Sequence, residues 1–177
     1  RDRIIAVGTS AEISALADAQ TQRIDLAGRT LLPAFCDAHV HLWKVGSLLT
    51  RLLDLRGCPS LERLTQQITT FASNLPPHAW FEGRGYNEAL LKESRHPTRH
   101  DLDAALGTRP GFLIRTCAHI AVANTDALAA AHIDANTPNP PGGVIERDTT
   151  GQPTGILHET ALGLVQSCIP APSQREY

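Results

Sequence analysis

The most closely spaced chemically useful side chains in the chain lie in Asp37-Ala38-His39-Val40-His41. If this segment is a strand, side chains two residues apart point to the same face, so His39 and His41 project together with Asp37 beside them. Two neutral imidazoles can each bind a divalent ion at about 2.0–2.1 Å, which is half of a zinc site. The Asp37 carboxylate would then orient an imidazole by a hydrogen bond. The alternative is an exposed histidine pair on a surface strand.

A strand from about Phe35 into the His-Val-His sequence is the element that must position this pair, because Pro33 does not suit the middle of a central strand. Apolar residues between Ser47 and Leu55 predict a short helix. A longer helix is predicted after Pro59, with Ser60 as its N-cap. Its apolar face would consist of Leu61, Leu64, Ile68, Phe71 and Leu75.

The order of the remaining segments predicts an α/β fold. AWFEGRG has the composition of a strand, LDAAL that of a helix, and the apolar run GFLIRTCAHIAVA predicts one strand buried on both faces of a parallel sheet. Asn124 or Thr125 would cap a following helix. Such alternation is typical of right-handed βαβ crossovers in a parallel sheet, and three βα units are visible. VIERD and QPTGILHE predict a β-hairpin near residues 143–158, and a last helix follows it.

Composition excludes several classes of function. The formal net charge is −2 and the Arg and Lys residues are scattered, so we expect no nucleic-acid partner. The sequence has neither a membrane-length apolar run nor a signal-peptide pattern, so no membrane partner is expected either. The four cysteines are far apart, which favours reduced thiols and a cytoplasmic location. Because the chain starts without Met, inside a strand-like segment, we interpret it as a fragment of a longer protein.

The segment GRTLLPAFCDAHVHL resembles the G-x-x-hydrophobic-x-PGF-hydrophobic-D-x-H-x-H signature of the amidohydrolase superfamily. Later segments are similar in order to amidohydrolase family 3, the branch that includes N-substituted formamide deformylase-like metal-dependent hydrolases; they are FEGRGYNEALL, HPTRHDLDAAL, RPGFLIRTCAHIAVANTDAL and GGVIERDTTGQPTGILHETA. The sequence departs from the family at Ala34, where the signature has Gly, and at Tyr86-Asn87, where the family has Trp-Asp.

The resemblance implies a TIM (β/α)₈ barrel with a metal at its C-terminal face and a small β-sandwich built from both chain ends. Residues 1–30, with extended segments such as RIIAV and IDL, would be part of the N-terminal β-sandwich. Residues 31–177 would be the first part of the barrel, about three βα units of the eight, with a hairpin insertion near 143–158. The chain would therefore be an N-terminal fragment.

Two further site residues follow from the resemblance. His119 corresponds to a histidine that precedes the Asn-Ser/Thr-x-Ala-Leu helix start of relatives, and is expected to bind the substrate through a carbonyl or carboxylate. Glu159 closes a motif shared with this branch and is expected as a metal ligand, where relatives use a carbamylated lysine. A core or capping role for His119, and a favourable first-turn charge for Glu159, are the alternatives.

The function implied is hydrolysis of an amide or other non-peptide C–N bond of a small molecule by a metal-activated water. Zn²⁺ is the expected divalent metal, with one or two ions bound. The catalytic general base, an Asp in this superfamily, and further ligands are expected beyond Tyr177. A homodimer of the full-length protein is left open. The alternatives are a non-catalytic binding or regulatory domain that retains the fold, and a different reaction such as deamination on the same barrel.

Overall fold

A computed structural model describes residues 3–172, apart from the side chain of Trp43. The chain divides between Val40 and His41 into two compact units. The predicted sandwich for residues 1–30 and the predicted barrel from residue 31 stay predictions. None of the helices in residues 3–172 has the length and hydropathy needed to cross a membrane.

The first unit contains one regular element in residues 3–40, the helix α1 (Ser10–Ala15). A capping box begins it: the Glu12 carboxylate accepts the backbone N–H of Thr9 at 2.8 Å, and the Thr9 hydroxyl accepts that of Glu12 at 3.4 Å. The extended segments predicted here are not strands in the structure, because residues 3–40 form no β-ladder. Their apolar residues remain exposed, with Ile5 at 92%.

The second unit is built on a six-stranded mixed sheet of order β1-β2-β3-β4-β6-β5. Strands β1, β2 and β3 run parallel, whereas β4, β6 and β5 are joined by antiparallel pairing. The strands are β1 (Leu53–Asp54), β2 (Phe81–Tyr86), β3 (Gly111–Arg115), β4 (Ile120–Ala123), β5 (Gly143–Arg147) and β6 (Pro153–Glu159). The helices are α2 (Leu42–Thr50), α3 (Leu61–Ala72), α4 (Arg99–Leu106), α5 (Thr125–Ala130) and α6 (Leu162–Gln166), with a 3₁₀ turn at Glu88–Leu90.

The prediction of a single strand across GFLIRTCAHIAVA is wrong, because this segment is the hairpin β3–β4. Its turn spans residues 116–119, where Ala118 has φ +65° and its N–H donates to the Arg115 carbonyl at 3.0 Å. The apolar run is continuous because both strands are buried, not because the strand is continuous. The sheet is therefore parallel only from β1 to β3, while the α/β class is confirmed.

Helices cover both faces of this sheet. Neighbouring strand residues belong to different apolar clusters, as with Leu113 and Phe112 in β3, since successive strand side chains point to opposite faces. One cluster joins the sheet to α3 and α4, and the other joins it to α5 and α6. The helix predicted after Pro59 is confirmed, with the Ser60 hydroxyl accepting the N–H of Arg63 at 3.1 Å.

The helix predicted between Ser47 and Leu55 lies earlier in the chain, as α2. The last residues of the predicted segment form β1 instead. The backbone N–H of Leu55 donates to the Arg84 carbonyl at 2.8 Å, continuing the parallel pairing of β1 with β2. Leu55 is also 1% exposed, within the apolar cluster that includes α3 and α4, so partners distant in sequence outweigh the local helical spacing.

Candidate functional site

One edge of the sheet carries a group of charged and aromatic side chains. The parallel strands β1, β2 and β3 end there, and β6 ends there too because it is antiparallel to β4, which is itself antiparallel to β3. Ligands of α/β proteins bind outside the carboxyl ends of the strands. The residues at these ends are Asp54, Tyr86, Arg115, His119, His158 and Glu159.

The structure brings together His119 and Glu159, which the sequence indicated separately. The imidazole Nδ1 of His119 lies 2.8 Å from Oε2 of Glu159, and the backbone N–H of Glu159 donates to the His119 carbonyl at 2.8 Å. Both side chains are more than half exposed. The hydrogen bond to the Glu159 carboxylate, with its negative charge, raises the pKa of His119 above the usual imidazole range.

Glu159 also has an unusual backbone. Its φ is +53°, in the left-handed region that residues with side chains adopt rarely and that often marks functional positions. His119 contacts Oε2 only, and an ionised carboxylate has about four acceptor positions. The carboxylate of Glu159 thus keeps the capacity to bind a cation while paired with His119.

A second group of side chains at this edge lies around Arg115 and was not anticipated. The Glu88 carboxylate accepts Nε and Nη2 of Arg115 at 2.6 and 2.7 Å, a two-point ion pair whose side chains are 22% and 20% exposed. This hydrogen bonding lowers the pKa of Glu88 from 4.5 to about 2. Nη2 of Arg115 also donates to the side-chain carbonyl of Asn87 at 3.3 Å.

Tyr86 and His96 complete this group. The hydroxyl of Tyr86, a fully buried residue, hydrogen bonds with Nδ1 of His96 at 3.1 Å. Burial raises the pKa of the Tyr86 hydroxyl and lowers that of the His96 imidazole. Both groups therefore stay neutral near pH 7, and the pair aligns the strand end with the loop that carries His96. Nothing in the sequence distinguishes His96 from other histidines in polar loops. Arg115 could have been identified, because it is a charged residue at the end of an apolar strand.

The segment with Asp37, His39 and His41 does not form the predicted strand. Residues 30–41 have no β-pairing, and the Asp37 carboxylate accepts the backbone N–H of His39 at 3.0 Å, so the donor that a ladder would use is taken locally. His39 belongs to the first unit, and His41 lies in the second at the N-cap of α2. Within residues 3–172 no three His, Cys, Asp or Glu side chains are close enough to share a metal ion. Metal binding by His39, His41 and Glu159 stays a prediction, as does orientation of an imidazole by Asp37.

Comparison with known proteins gives matches along most of the chain. Residues 22–177 match the amidohydrolase family. The N-substituted formamide deformylase of Arthrobacter pascens is 38% identical over 167 residues, which are 93% of this chain and 31% of that protein. The exoenzymes regulatory protein AepA of Pectobacterium carotovorum subsp. carotovorum is 32% identical over 165 residues, which are 90% of this chain and 36% of that protein.

A solved structure is also similar. The crystal structure of an uncharacterized metal-dependent hydrolase from Pyrococcus horikoshii OT3 superposes with a TM-score of 0.53 at 32% identity, covering 77% of this chain and 24% of that chain. The chain spans about a third of the length of the two sequence relatives.

Proposed function

Because the chain belongs to the amidohydrolase family, we propose that it takes part in metal-dependent hydrolysis of an amide or other non-peptide C–N bond in a small molecule. The observation that carries this proposal is the family match over residues 22–177, within which the Asp-x-His-x-His segment lies. The formamide deformylase and the metal-dependent hydrolase among its relatives support the same chemistry.

His39 and His41 are the residues proposed to hold a divalent metal, with Glu159 contributing a carboxylate oxygen. The Asp37 carboxylate is proposed to orient one of the imidazoles by a hydrogen bond. Two imidazoles and one carboxylate are a donor set that zinc hydrolases use, so the chemistry of these side chains suits Zn²⁺, with one or two ions. Such an ion, when bound, lowers the pKa of a bound water to about 7 and polarises a carbonyl group. The free acceptor positions of Glu159 are compatible with this role.

His119 is proposed to bind the substrate. Its Nδ1 is held by Glu159, so the ring is fixed at one nitrogen and Nε2 remains for contact with a substrate carbonyl or carboxylate. The neighbouring ion pair of Glu88 with Arg115 fixes the end of β3, from which the turn carrying His119 begins. His119, held by Glu159, would thus orient a substrate at this edge of the sheet.

Metal analysis tests the proposal directly. After reconstitution with zinc and removal of excess ion, we expect the full-length protein to retain zinc and its His39→Ala, His41→Ala double variant to lose most of it. His100→Ala is the matched control, because His100 is 74% exposed on α4 and belongs to no proposed site. Stoichiometric zinc retained in the double variant refutes the metal site.

A non-catalytic regulatory or binding role is the second candidate, favoured by the relative that is named a regulatory protein. Release of formate or free amine from N-substituted formamides by the zinc-loaded full-length protein separates the two functions, because the general base is expected beyond Tyr177. Turnover that depends on His39 and His41 supports the hydrolase. Zinc binding without turnover of any amide tested favours the regulatory role.

A further inference from the structure

A small cavity opens at the same sheet edge, away from the pair of His119 and Glu159. Its volume is about 200 Å³ and its walls are Leu48, Asp54, Arg56, Arg84, Gly85 and Thr116. These residues come from α2, from the end of β1 and the turn that follows it, from β2, and from the turn between β3 and β4. A carboxylate or phosphate group is small enough for such a volume.

The guanidinium of Arg84 is the distinctive group in this wall. Arg84 is half-buried, yet its side chain forms no hydrogen bond or ion pair with any residue in the described part of the chain. Arginines around it are paired instead: Arg51 lies 2.9 Å from Glu82, and Arg115 binds Glu88. A guanidinium that has lost part of its water without gaining a partner is stabilised by an anionic oxygen ligand.

The second arginine of the cavity is held in place by Asp54. One carboxylate oxygen of Asp54 accepts the Arg56 backbone N–H and Nε, both at 3.0 Å, and the other accepts Nη2 at 2.6 Å. This leaves Nη1 of Arg56 for another acceptor. With Asp54 ionised and both arginines charged, the cavity carries a net charge of about +1, which one anionic group neutralises.

Gly85 makes this arrangement sterically possible. Its φ is +99°, and a Cβ at this position would lie 2.6 Å from Cγ of Arg56 and 3.2 Å from its backbone nitrogen. Only a residue without a side chain lets the segment after β1 approach β2 so closely. The close approach brings Arg56 to the same cavity as Arg84.

We infer that this cavity is a binding site for a carboxylate or phosphate group, with the guanidinium of Arg84 as its main contact and Arg56 and the Thr116 hydroxyl as further donors. A planar guanidinium can offer two parallel N–H donors to such an oxyanion. The inference goes beyond the proposed function, because it concerns binding of an anionic group and would stand whether or not the protein hydrolyses amides.

The test is an NMR titration of the ¹⁵N-labelled chain with sodium acetate and, separately, with inorganic phosphate at constant ionic strength. We expect the backbone amides of Gly85 and Thr116 to shift with a saturating dependence on at least one anion. Saturation with acetate alone identifies a carboxylate site, and saturation with phosphate alone identifies a phosphate site. Saturation with both identifies a general oxyanion site, and no saturable shift with either overturns the inference.

Variants assign the binding to Arg84. We expect Arg84→Gln to weaken binding at least tenfold and Arg84→Lys to weaken it less, because lysine keeps the charge but loses the two-point geometry. Arg23→Gln removes the same charge from an exposed position in the first unit and is expected to change the affinity less than twofold. Affinity in Arg84→Gln equal to that of the parent overturns the inference. If Arg84→Gln does not fold, Thr116→Val, at an exposed turn position, tests the inference instead. We expect it to weaken anion binding about threefold, and an unchanged affinity overturns the inference.

Discussion

Replacement of Glu88 by glutamine tests whether the ion pair at the end of β3 stabilises the sheet edge. Glu88 and Arg115 are joined by two short hydrogen bonds across 27 residues of sequence. Glutamine keeps the size of the side chain but removes its charge. We expect a loss of folding stability, since the Arg115 guanidinium is then left partly desolvated with a neutral partner.

The magnitude follows from the pKa of Glu88, which falls from 4.5 to about 2 on folding. Each unit of such a shift corresponds to about 1.4 kcal/mol, so the upper value is about 3 kcal/mol. Both side chains are roughly one-fifth exposed, at 22% and 20%, so water screens the pair in part. We therefore expect Glu88→Gln to lower the free energy of unfolding by about 2 kcal/mol at neutral pH.

The pH dependence has a definite sign. Because the pKa of Glu88 is lower in the folded state, its contribution is complete above the unfolded value of 4.5 and disappears as the pH falls toward 2. Urea denaturation followed by circular dichroism would measure both proteins from neutral pH down to about pH 2. The difference between parent and Glu88→Gln should shrink to near zero at the acid end.

A double-mutant cycle with Arg115→Gln isolates the pair from the other effects of each substitution. We expect a coupling energy of about 2 kcal/mol at neutral pH. A coupling energy below about 0.5 kcal/mol, or a stability difference that persists unchanged at about pH 2, would refute the reasoning.

Two further pairs of substitutions, each a test and its control, examine the packing of the second unit by urea denaturation. Leu64→Ala should lower the free energy of unfolding by about 2–5 kcal/mol, because Leu64 is 0% exposed. Its control Leu49→Ala, at a position 79% exposed, should lower it by less than about 1 kcal/mol. Equal losses would contradict the assigned core. Gly155→Ala should cost more than about 2 kcal/mol, because at φ +97° its Cβ would lie 2.4 Å from the carbonyl oxygen of Ala123. Gly163→Ala, where a Cβ meets nothing within 4 Å, is the control, and similar stabilities of the two variants would argue against the close approach.

The elements that sequence analysis placed correctly are those with local signals. The helix α3 has its cap at Ser60 and its apolar spacing within one segment, and both are readable without a partner. The hairpin turn at 116–119 was missed because apolar residues continue on either side of it. The strand β1 was missed because its two residues become a strand only through pairing with β2.

The same distinction applies to the candidate site. His119 and Glu159 were each identified from the family resemblance, but their contact depends on the register that places Ile120 opposite His158. Their partnership could not be read from either segment alone. The pair of Glu88 and Arg115 depends in the same way on the parallel pairing of β2 with β3.

The hairpin between β3 and β4 also bears on the order in which the chain folds. Its strands are separated by a four-residue turn, and β5 and β6 by a similarly short one, whereas β2 can meet β3 only after a longer segment with α4 has formed its crossover. Contacts between residues close in sequence lose little loop-closure entropy and form early. We therefore expect the two hairpins, β3–β4 and β5–β6, to acquire order first, with β1, a two-residue strand at the border of the sheet, joining last.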